Sequence, residues 1–420
     1  MIADRLGRRL ALHLLGRTRD GELTLVEDGT ERVFGQIDPA APLRARLEVH
    51  DPSVYRALLR GSLGLALAYT EGAWSSPDPV ALVRLGARNM PRFDALRLRM
   101  RWALGPVQWL TGLARRNTIR RSRRQIAAHY DLGNDLYRLF LDETLMYSAA
   151  VFETPQASLH EASVAKLDRV CRKLQLRPED HLLEIGTGWG AMAVHAAREY
   201  GCRVTTTTIS AEQHAVAVQR VREAGLEERV TVLLRDYREL EGTFDKLVSI
   251  EMIEAVGWRD FETFFSVCSE RLKPDGVMLL QAITIADRAY EAEKATKSFI
   301  NQLIFPGGCL PSQEVIARCV ARATDLRAVQ LEDITEHYVR TLQHWRRNFS
   351  AEPERLRALG YDDAFQRLWT LYLAYCEGGF AERRIQDVQL LLAKPRFAGE
   401  PLAHAEPLAT GRFSPDAVAA

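Results

Sequence analysis

The chain has 420 residues, 47% of them apolar and 26% charged, with a formal net charge of +1; this is enough apolar material for more than one core and too much for a disordered protein. It has no apolar run of the roughly 18 residues that a spanning helix needs, and basic side chains punctuate Met1 to Arg19 with no small-residue cleavage site, so a cytoplasmic protein without a secretory signal is expected. Six scattered cysteines (Cys171, Cys202, Cys268, Cys309, Cys319, Cys376) form no C-x-x-C pair, which argues against a disulfide framework and a metal site.

In chain order, an amphipathic helix is predicted over Ile2 to Leu15. Short β-like runs follow at Leu23 to Val26 and Arg44 to Val49, set between Asp-Gly and Asp-Pro turn signals. Helical patterns over Pro52 to Glu71 and Asp78 to Arg88 complete a small α+β unit, taken as residues 1–92. Residues 93–126 interleave Trp102, Trp109 and several leucines with Arg115, Arg116, Arg120, Arg121, Arg123 and Arg124. The charge is lopsided: residues 1–125 hold 22 arginines, no lysine and 12 acidic residues, so the remainder is net negative. An arginine-rich segment with apolar bulk suits the surface of an anionic bilayer; a solvated linker and a nucleic-acid contact are the alternatives, and no nucleic-acid partner is expected.

From Ser163 the pattern changes to alternating strands and helices. Strands are predicted at His181 to Ile185, Arg203 to Thr208, Val230 to Leu234, Lys246 to Ile250 and Val277 to Ile283, with a Ser-capped helix from Ser210 to Ala224. Such alternation predicts an α/β, doubly wound, mostly parallel sheet over residues 127–394. Helices at Gln313 to Ala323, Tyr338 to Phe349 and Asp363 to Cys376 form an insertion, 284–380, past the carboxyl edge of the sheet where ligands bind, and 395–420 reads as a flexible tail.

The most informative stretch is Leu182-Leu183-Glu184-Ile185-Gly186-Thr187-Gly188-Trp189-Gly190. A buried strand there turns into a helix over glycines that allow close backbone approach, and the helix N-terminus offers free N–H groups. A dinucleotide fold wants G-x-G-x-x-G and an acid about 20 residues on. Here the glycines run G-x-G-x-G, and the next strand ends in Thr205 to Thr208 with no acid. The arrangement looks like motif I of S-adenosylmethionine methyltransferases.

Further phrases narrow this: His129-Tyr130-Asp131-Leu132-Gly133-Asn134, Met146-Tyr147-Ser148, Thr208-Ile209-Ser210-Ala211-Glu212-Gln213, Ile304-Phe305-Pro306-Gly307-Gly308-Cys309-Leu310-Pro311-Ser312 and Glu377-Gly378-Gly379-Phe380. Together they resemble the cyclopropane fatty acid synthase family, which includes the mycolic acid methyltransferases. The resemblance implies a class I methyltransferase fold and transfer of a one-carbon unit from S-adenosylmethionine to a cis double bond in a phospholipid acyl chain, giving a cyclopropane. It places Gly186, Gly188, Gly190 and Glu184 by the methionine part of the cofactor, Tyr147 and Ser148 over its carboxylate, Thr208 and Gln213 by the ribose, and Asp236 and Tyr237 by the adenine.

Methyl transfer leaves a carbocation on the acyl chain, which calls for a dry pocket with aromatic faces; Trp345, Phe305, Tyr338, Tyr372 and Phe380 are candidates. A base then removes a proton. In the family it is a bicarbonate held by a Cys, a Glu, a His, an Ile backbone group and a Tyr. Glu254, Ile283 and Tyr338 match, whereas Ala149 stands at the cysteine position and Gln281 at the histidine position. Three routes stay open: bicarbonate held with help from the Gln281 amide, Glu254 itself as base, or proton loss elsewhere to give a methylene- or methyl-branched product. Glu251 competes with Glu254, and Cys309 reads as structural. The expected partners are an unsaturated membrane phospholipid and the anionic inner face of the membrane, with a homodimer as one possible state; a soluble small-molecule methyltransferase is the alternative.

Overall fold

The computed structural model describes residues 2–58, 60–91, 133–295 and 298–401. The arginine-rich segment 93–126, the phrase His129 to Leu132 and the end of the tail lie outside these residues.

The amino-terminal part holds a four-stranded sheet in the order β2-β1-β3-β4, made of β1 Gly21–Glu27, β2 Thr30–Gln36, β3 Arg44–Val49 and β4 Trp74–Ser75. The Asp-Gly signal is a two-residue hairpin: Glu27 pairs with Thr30, and Asp28 and Gly29 have φ of 49° and 73°, the left-handed pair that matches the twist of the flanking strands. Strand β2 was not anticipated, because it is an exposed edge with Val33 open to solvent. The single helix expected from Pro52 is two, Ser53–Leu58 and Gly61–Thr70, with Gly61 at φ 67° near the break. A further helix runs over 79–91, its first turn capped by the Asp78 carboxylate on the Ala81 amide with Pro79 behind it.

The second sheet has seven strands in the order β10-β11-β9-β8-β5-β6-β7. The apolar runs define β5 His181–Ile185, β6 Arg203–Thr208 and β7 Val230–Leu234 over the ranges expected; β8 Phe244–Ile250 and β9 Leu272–Ile285 are longer. These five are parallel; β11 Ile385–Ala393 adds antiparallel to β9, and β10 Arg327–Asp333 pairs antiparallel with β11 at the edge. The fold is therefore the doubly wound class I arrangement. The insertion is not purely helical: β10 lies inside it. Its sequence alternates weakly because it is an edge strand, mostly exposed and ending in acidic residues.

Three helices of the insertion, Thr335–Ser350, Pro353–Ala358 and Asp363–Ala381, stack over the carboxyl edge of the sheet together with Asn134–Phe140. One apolar cluster runs from β1 and β3 through Tyr55 and Trp74 to Phe140, Trp345, Trp369 and Phe380. The amino-terminal unit and the cover thus share a core. Arg84 and Arg88 both hold Glu382 at 2.7 Å across that seam.

Candidate functional site

The carboxyl ends of four parallel strands and the start of an antiparallel one meet at one place. Glu184 is the penultimate residue of β5, Thr208 ends β6, Glu251 and Glu254 follow β8, Gln281 and Ile283 lie near the end of β9, and Asp387 lies near the start of antiparallel β11. This edge is where parallel α/β sheets place ligands.

The glycine turn has a division of labour. Gly186, Gly188 and Gly190 all have positive φ, 105°, 52° and 89°. A Cβ on Gly188 would meet nothing within 4 Å, one on Gly186 would sit 3.2 Å from the Met252 side chain, and one on Gly190 would sit 3.1 Å from the Ala217 Cβ. Gly188 therefore leaves room, whereas Gly190 brings the helices Ala191–Glu199 and Ala211–Glu223 together. Beside the turn the Glu184 carboxylate is fully buried, and one of its oxygens has no hydrogen-bond partner. Burial pushes its pKa up to about 8. An orphaned carboxyl oxygen next to an open glycine suits a cationic ligand, which would favour loss of its proton, and the sulfonium and ammonium groups of S-adenosylmethionine supply such charge.

The remaining cofactor candidates vary. Thr208 Oγ1 donates to Gln213 Oε1 at 2.9 Å, while Ser210 caps the Gln213 amide, so both candidate ribose residues are oriented by local bonds. Ser148 accepts from Lys166 Nζ at 2.8 Å. Lys166 is fully buried and was missed; it sits on the inward stripe of the helix Leu159–Leu174 with Ala162, Ser163 and Val170. Burial lowers its pKa to about 8 against the pull of Glu251, Asp387 and other carboxylates. Asp236 caps the following turn and grips Arg238 Nε and Nη2 at 2.8 Å each. The Tyr237 ring packs edge-on against Phe264 in the core. Its hydroxyl is buried without a hydrogen-bond partner.

The aromatic candidates form one connected wall. Tyr147 lies 5.3 Å from Trp345 and 6.4 Å from Phe305 between ring centroids; Phe305 meets Tyr372 at 5.9 Å, Tyr338 meets Trp345 at 6.0 Å and stacks on Phe380 at 4.4 Å. The Tyr147 and Tyr372 hydroxyls join at 2.7 Å. The Pro-Gly-Gly loop leaves a π-helical turn, Ile300–Ile304, and its Cys309 amide donates to the Glu254 carbonyl at 2.8 Å. A Cβ on Gly308 would stand 3.1 Å from the Phe305 carbonyl, so the glycine permits that close return. Cys309 itself is half-buried with its thiol pushed up to about 12 by burial, which suits a structural role.

The acid/base residues are arranged differently from the expectation. Glu254 accepts from the Ile283 amide at 2.6 Å through one oxygen, and its other oxygen is buried without a partner. Burial, then the nearby Glu251 charge, raises its pKa to about 8. Tyr338 and Gln281, however, both turn to Glu251: the Tyr338 hydroxyl donates at 2.7 Å, the Gln281 amide at 2.8 Å, and the Ala149 backbone N–H at 2.8 Å. The groups that the resemblance assigns to an anion thus already hold a side-chain carboxylate, so bicarbonate does not fit between them. Burial raises the Glu251 pKa, and the three donors and Lys166 pull it back; Asp387, hydrogen-bonded to Glu251, is pushed well up by burial and by the two glutamates.

Gln281 belongs to a longer buried network. It also donates to Asp387 at 3.1 Å and accepts from Gln389 at 3.0 Å, and Gln389 accepts from Lys173 at 2.7 Å. Lys173 pairs with Glu332, which Arg169 clasps through Nε and Nη2. An imidazole donating N–H bonds to two carboxylates would have no acceptor left for the Gln389 amide; the glutamine keeps its oxygen for it.

The fold and the glycine site define a class I S-adenosylmethionine-dependent methyltransferase, and comparison with known proteins refines this. A family profile described as mycolic acid cyclopropane synthetase matches residues 117–390. Over 406 residues the chain is 38% identical to the tuberculostearic acid methyltransferase UfaA1 of Mycobacterium tuberculosis, covering 94% of this chain and 91% of that protein. It is 36% identical over 372 residues to the cyclopropane-fatty-acyl-phospholipid synthase of Escherichia coli K12, covering 85% and 90%. Among solved structures, the mycolic acid cyclopropane synthase CmaA1 complexed with SAH and CTAB superposes with a TM-score of 0.61 at 32% identity, covering 65% of this chain and 98% of that one. The chain belongs to the cyclopropane synthase and mycolic acid methyltransferase family.

Proposed function

We propose that the protein methylates the double bond of an unsaturated acyl chain in a membrane phospholipid, at the inner face of the membrane. The observation that carries the reading is the continuous aromatic wall, Tyr147, Phe305, Tyr338, Trp345, Tyr372 and Phe380, next to a buried anionic edge and the glycine turn. An isolated alkene needs a strong electrophile, and S-adenosylmethionine, when bound, supplies a methyl group on a cationic sulfur. The chain's own residues do the rest: Gly188 leaves room, Glu184 meets positive charge, and Ser148 with Lys166 lies ready for a carboxylate. The aromatic faces favour the cation left on the acyl chain without attacking it. Because the wall is buried, little water is present to quench it.

Two products are compatible with this chemistry. Ring closure is what the family resemblance implies, and the similarity to the Escherichia coli synthase supports it. A methylene- or methyl-branched chain is favoured by the replacement of the family's Cys and His with Ala149 and Gln281, and by the 94% coverage of the match to a protein named as a methyltransferase. The amino-terminal surplus of arginine supports docking on anionic lipid. No helix among the described residues is long and apolar enough to cross a membrane. The cleft between the amino-terminal unit and the cover, about 2120 Å³, is lined by Arg44, Arg84, Arg340, Arg346 and Arg347 together with Asp142, Glu143, Glu336 and Glu377.

The test is expression in a bacterium lacking such activity, followed by mass analysis of its phospholipid acyl chains. A gain of one CH₂ supports the reading, and mild hydrogenation separates the isomers: a methylene product takes up hydrogen, a cyclopropane resists it. Unchanged acyl chains would reject the proposal.

A further inference from the structure

We propose that the Glu251 carboxylate is the built-in base of this enzyme, occupying the place of a small oxyanion, so that catalysis needs no bicarbonate. The inference deepens the lipid-methylation reading and rests on it for the identity of the proton donor.

Three observations converge. The first is ligation: Glu251 takes the Tyr338 hydroxyl on one oxygen and the Gln281 amide and Ala149 N–H on the other, a three-donor cradle suited to a carboxylate or a bicarbonate but filled by the former. The second is backbone strain. Glu251 has φ 46°, the left-handed region where glycine sits without cost and a glutamate does not. A side chain kept there against backbone strain points to a role for it. The third is location: Glu251 follows β8 at the sheet edge, and the ring of its donor Tyr338 forms part of the aromatic wall through Trp345 and Phe380.

The step balances. A C–C bond forms between the transferred methyl and one alkene carbon as the C–S bond breaks, leaving a neutral thioether and a cation on the neighbouring carbon. Glu251 takes a proton from the new methyl group. The freed C–H pair closes the three-membered ring or, after a hydride moves from the methyl-bearing carbon to the cationic one, becomes an exocyclic C=C bond. Tyr338, Gln281 and the Ala149 amide position the carboxylate, and the buried Asp387 beside it accepts one hydrogen bond from Gln281 and is itself hydrogen-bonded to Glu251. Glu254, bound to the Ile283 amide, is a neighbour that holds the strand end.

The experiment uses full-length protein, S-adenosylmethionine, vesicles of unsaturated phosphatidylglycerol and buffer stripped of CO₂. Wild-type turnover is expected to be the same with and without added bicarbonate. Glu251→Gln should lower kcat by about 10²- to 10⁴-fold while S-adenosylhomocysteine affinity is retained. Glu251→Gly relieves the left-handed backbone and should fold; its residual rate should rise on adding bicarbonate or formate. A readout independent of turnover is titration with ¹³C-bicarbonate followed by NMR, expected to show binding to Glu251→Gly and none to wild type. Bicarbonate-dependent wild-type turnover, bicarbonate binding to wild type, or full activity in Glu251→Gln would each overturn the proposal. If wild type acts on no vesicle, the lipid reading fails, and the titration alone still decides whether Glu251 fills the oxyanion place.

Discussion

At the residue scale, two glycines in the same turn have different reasons to be there, and substitution separates them. Gly190→Ala puts a methyl 3.1 Å from Ala217 and forces a left-handed alanine, so a loss of about 2–4 kcal/mol in stability is expected by chemical denaturation. Gly188→Ala meets no protein atom, so it should cost only the backbone strain, about 1–2 kcal/mol, yet weaken S-adenosylmethionine binding about tenfold or more by calorimetry. Equal effects on binding and stability in both variants would remove the distinction. Glu184 gives a pH prediction. With its pKa raised to about 8 in the folded protein, the folded state holds a proton that the unfolded chain releases near pH 4.5. Stability from this group is therefore intact in acid and declines as pH rises toward about 8. Without cofactor, Glu184→Gln should melt increasingly above wild type as pH is raised across that window, and added S-adenosylmethionine should close the gap by stabilising wild type. A constant difference at all pH values would show that Glu184 does not titrate there.

At the scale of elements, the strands and the glycine turn were legible because a buried parallel sheet writes itself as short apolar runs, such as Leu182 to Ile185, ended by glycine. The Ser210 cap was legible for a similar reason. Glu254 was found from its phrase, but the hub at Glu251 was visible only as a rival, since what sets it apart is the register pairing Gln281 with Gln389 and bringing Asp387 opposite Ile283. No local pattern predicts a partnership over more than 100 residues. Lys166 was hidden inside an amphipathic helix, and the exposed strands β2 and β10 lacked the alternation that betrays a buried face. The Glu-Gly-Gly-Phe phrase acquires a physical reason: a Cβ on Gly378 would lie 2.7 Å from Val83 Cγ1 and 3.2 Å from the Arg84 amide. Gly378→Val should thus wedge the helix Asp363–Ala381 from the amino-terminal unit and cost several degrees in Tm. Pairing it with Val83→Ala should restore part of that loss; no recovery would mean that the clash lies elsewhere.

At the scale of the molecule, the surplus of arginine before residue 125 predicts salt-sensitive attachment to anionic vesicles. Charge reversal at Arg120, Arg121, Arg123 and Arg124 together should weaken cosedimentation with phosphatidylglycerol vesicles while leaving S-adenosylmethionine affinity as it was; undiminished sedimentation would place the docking surface elsewhere. The seam at Gly378 lies about half a helical turn from Phe380, whose ring rests on Tyr338, whose hydroxyl in turn touches Glu251. Any displacement of the amino-terminal unit against the cover would therefore reach the Glu251 carboxylate through a few rigid neighbours, like a finger resting on a trigger.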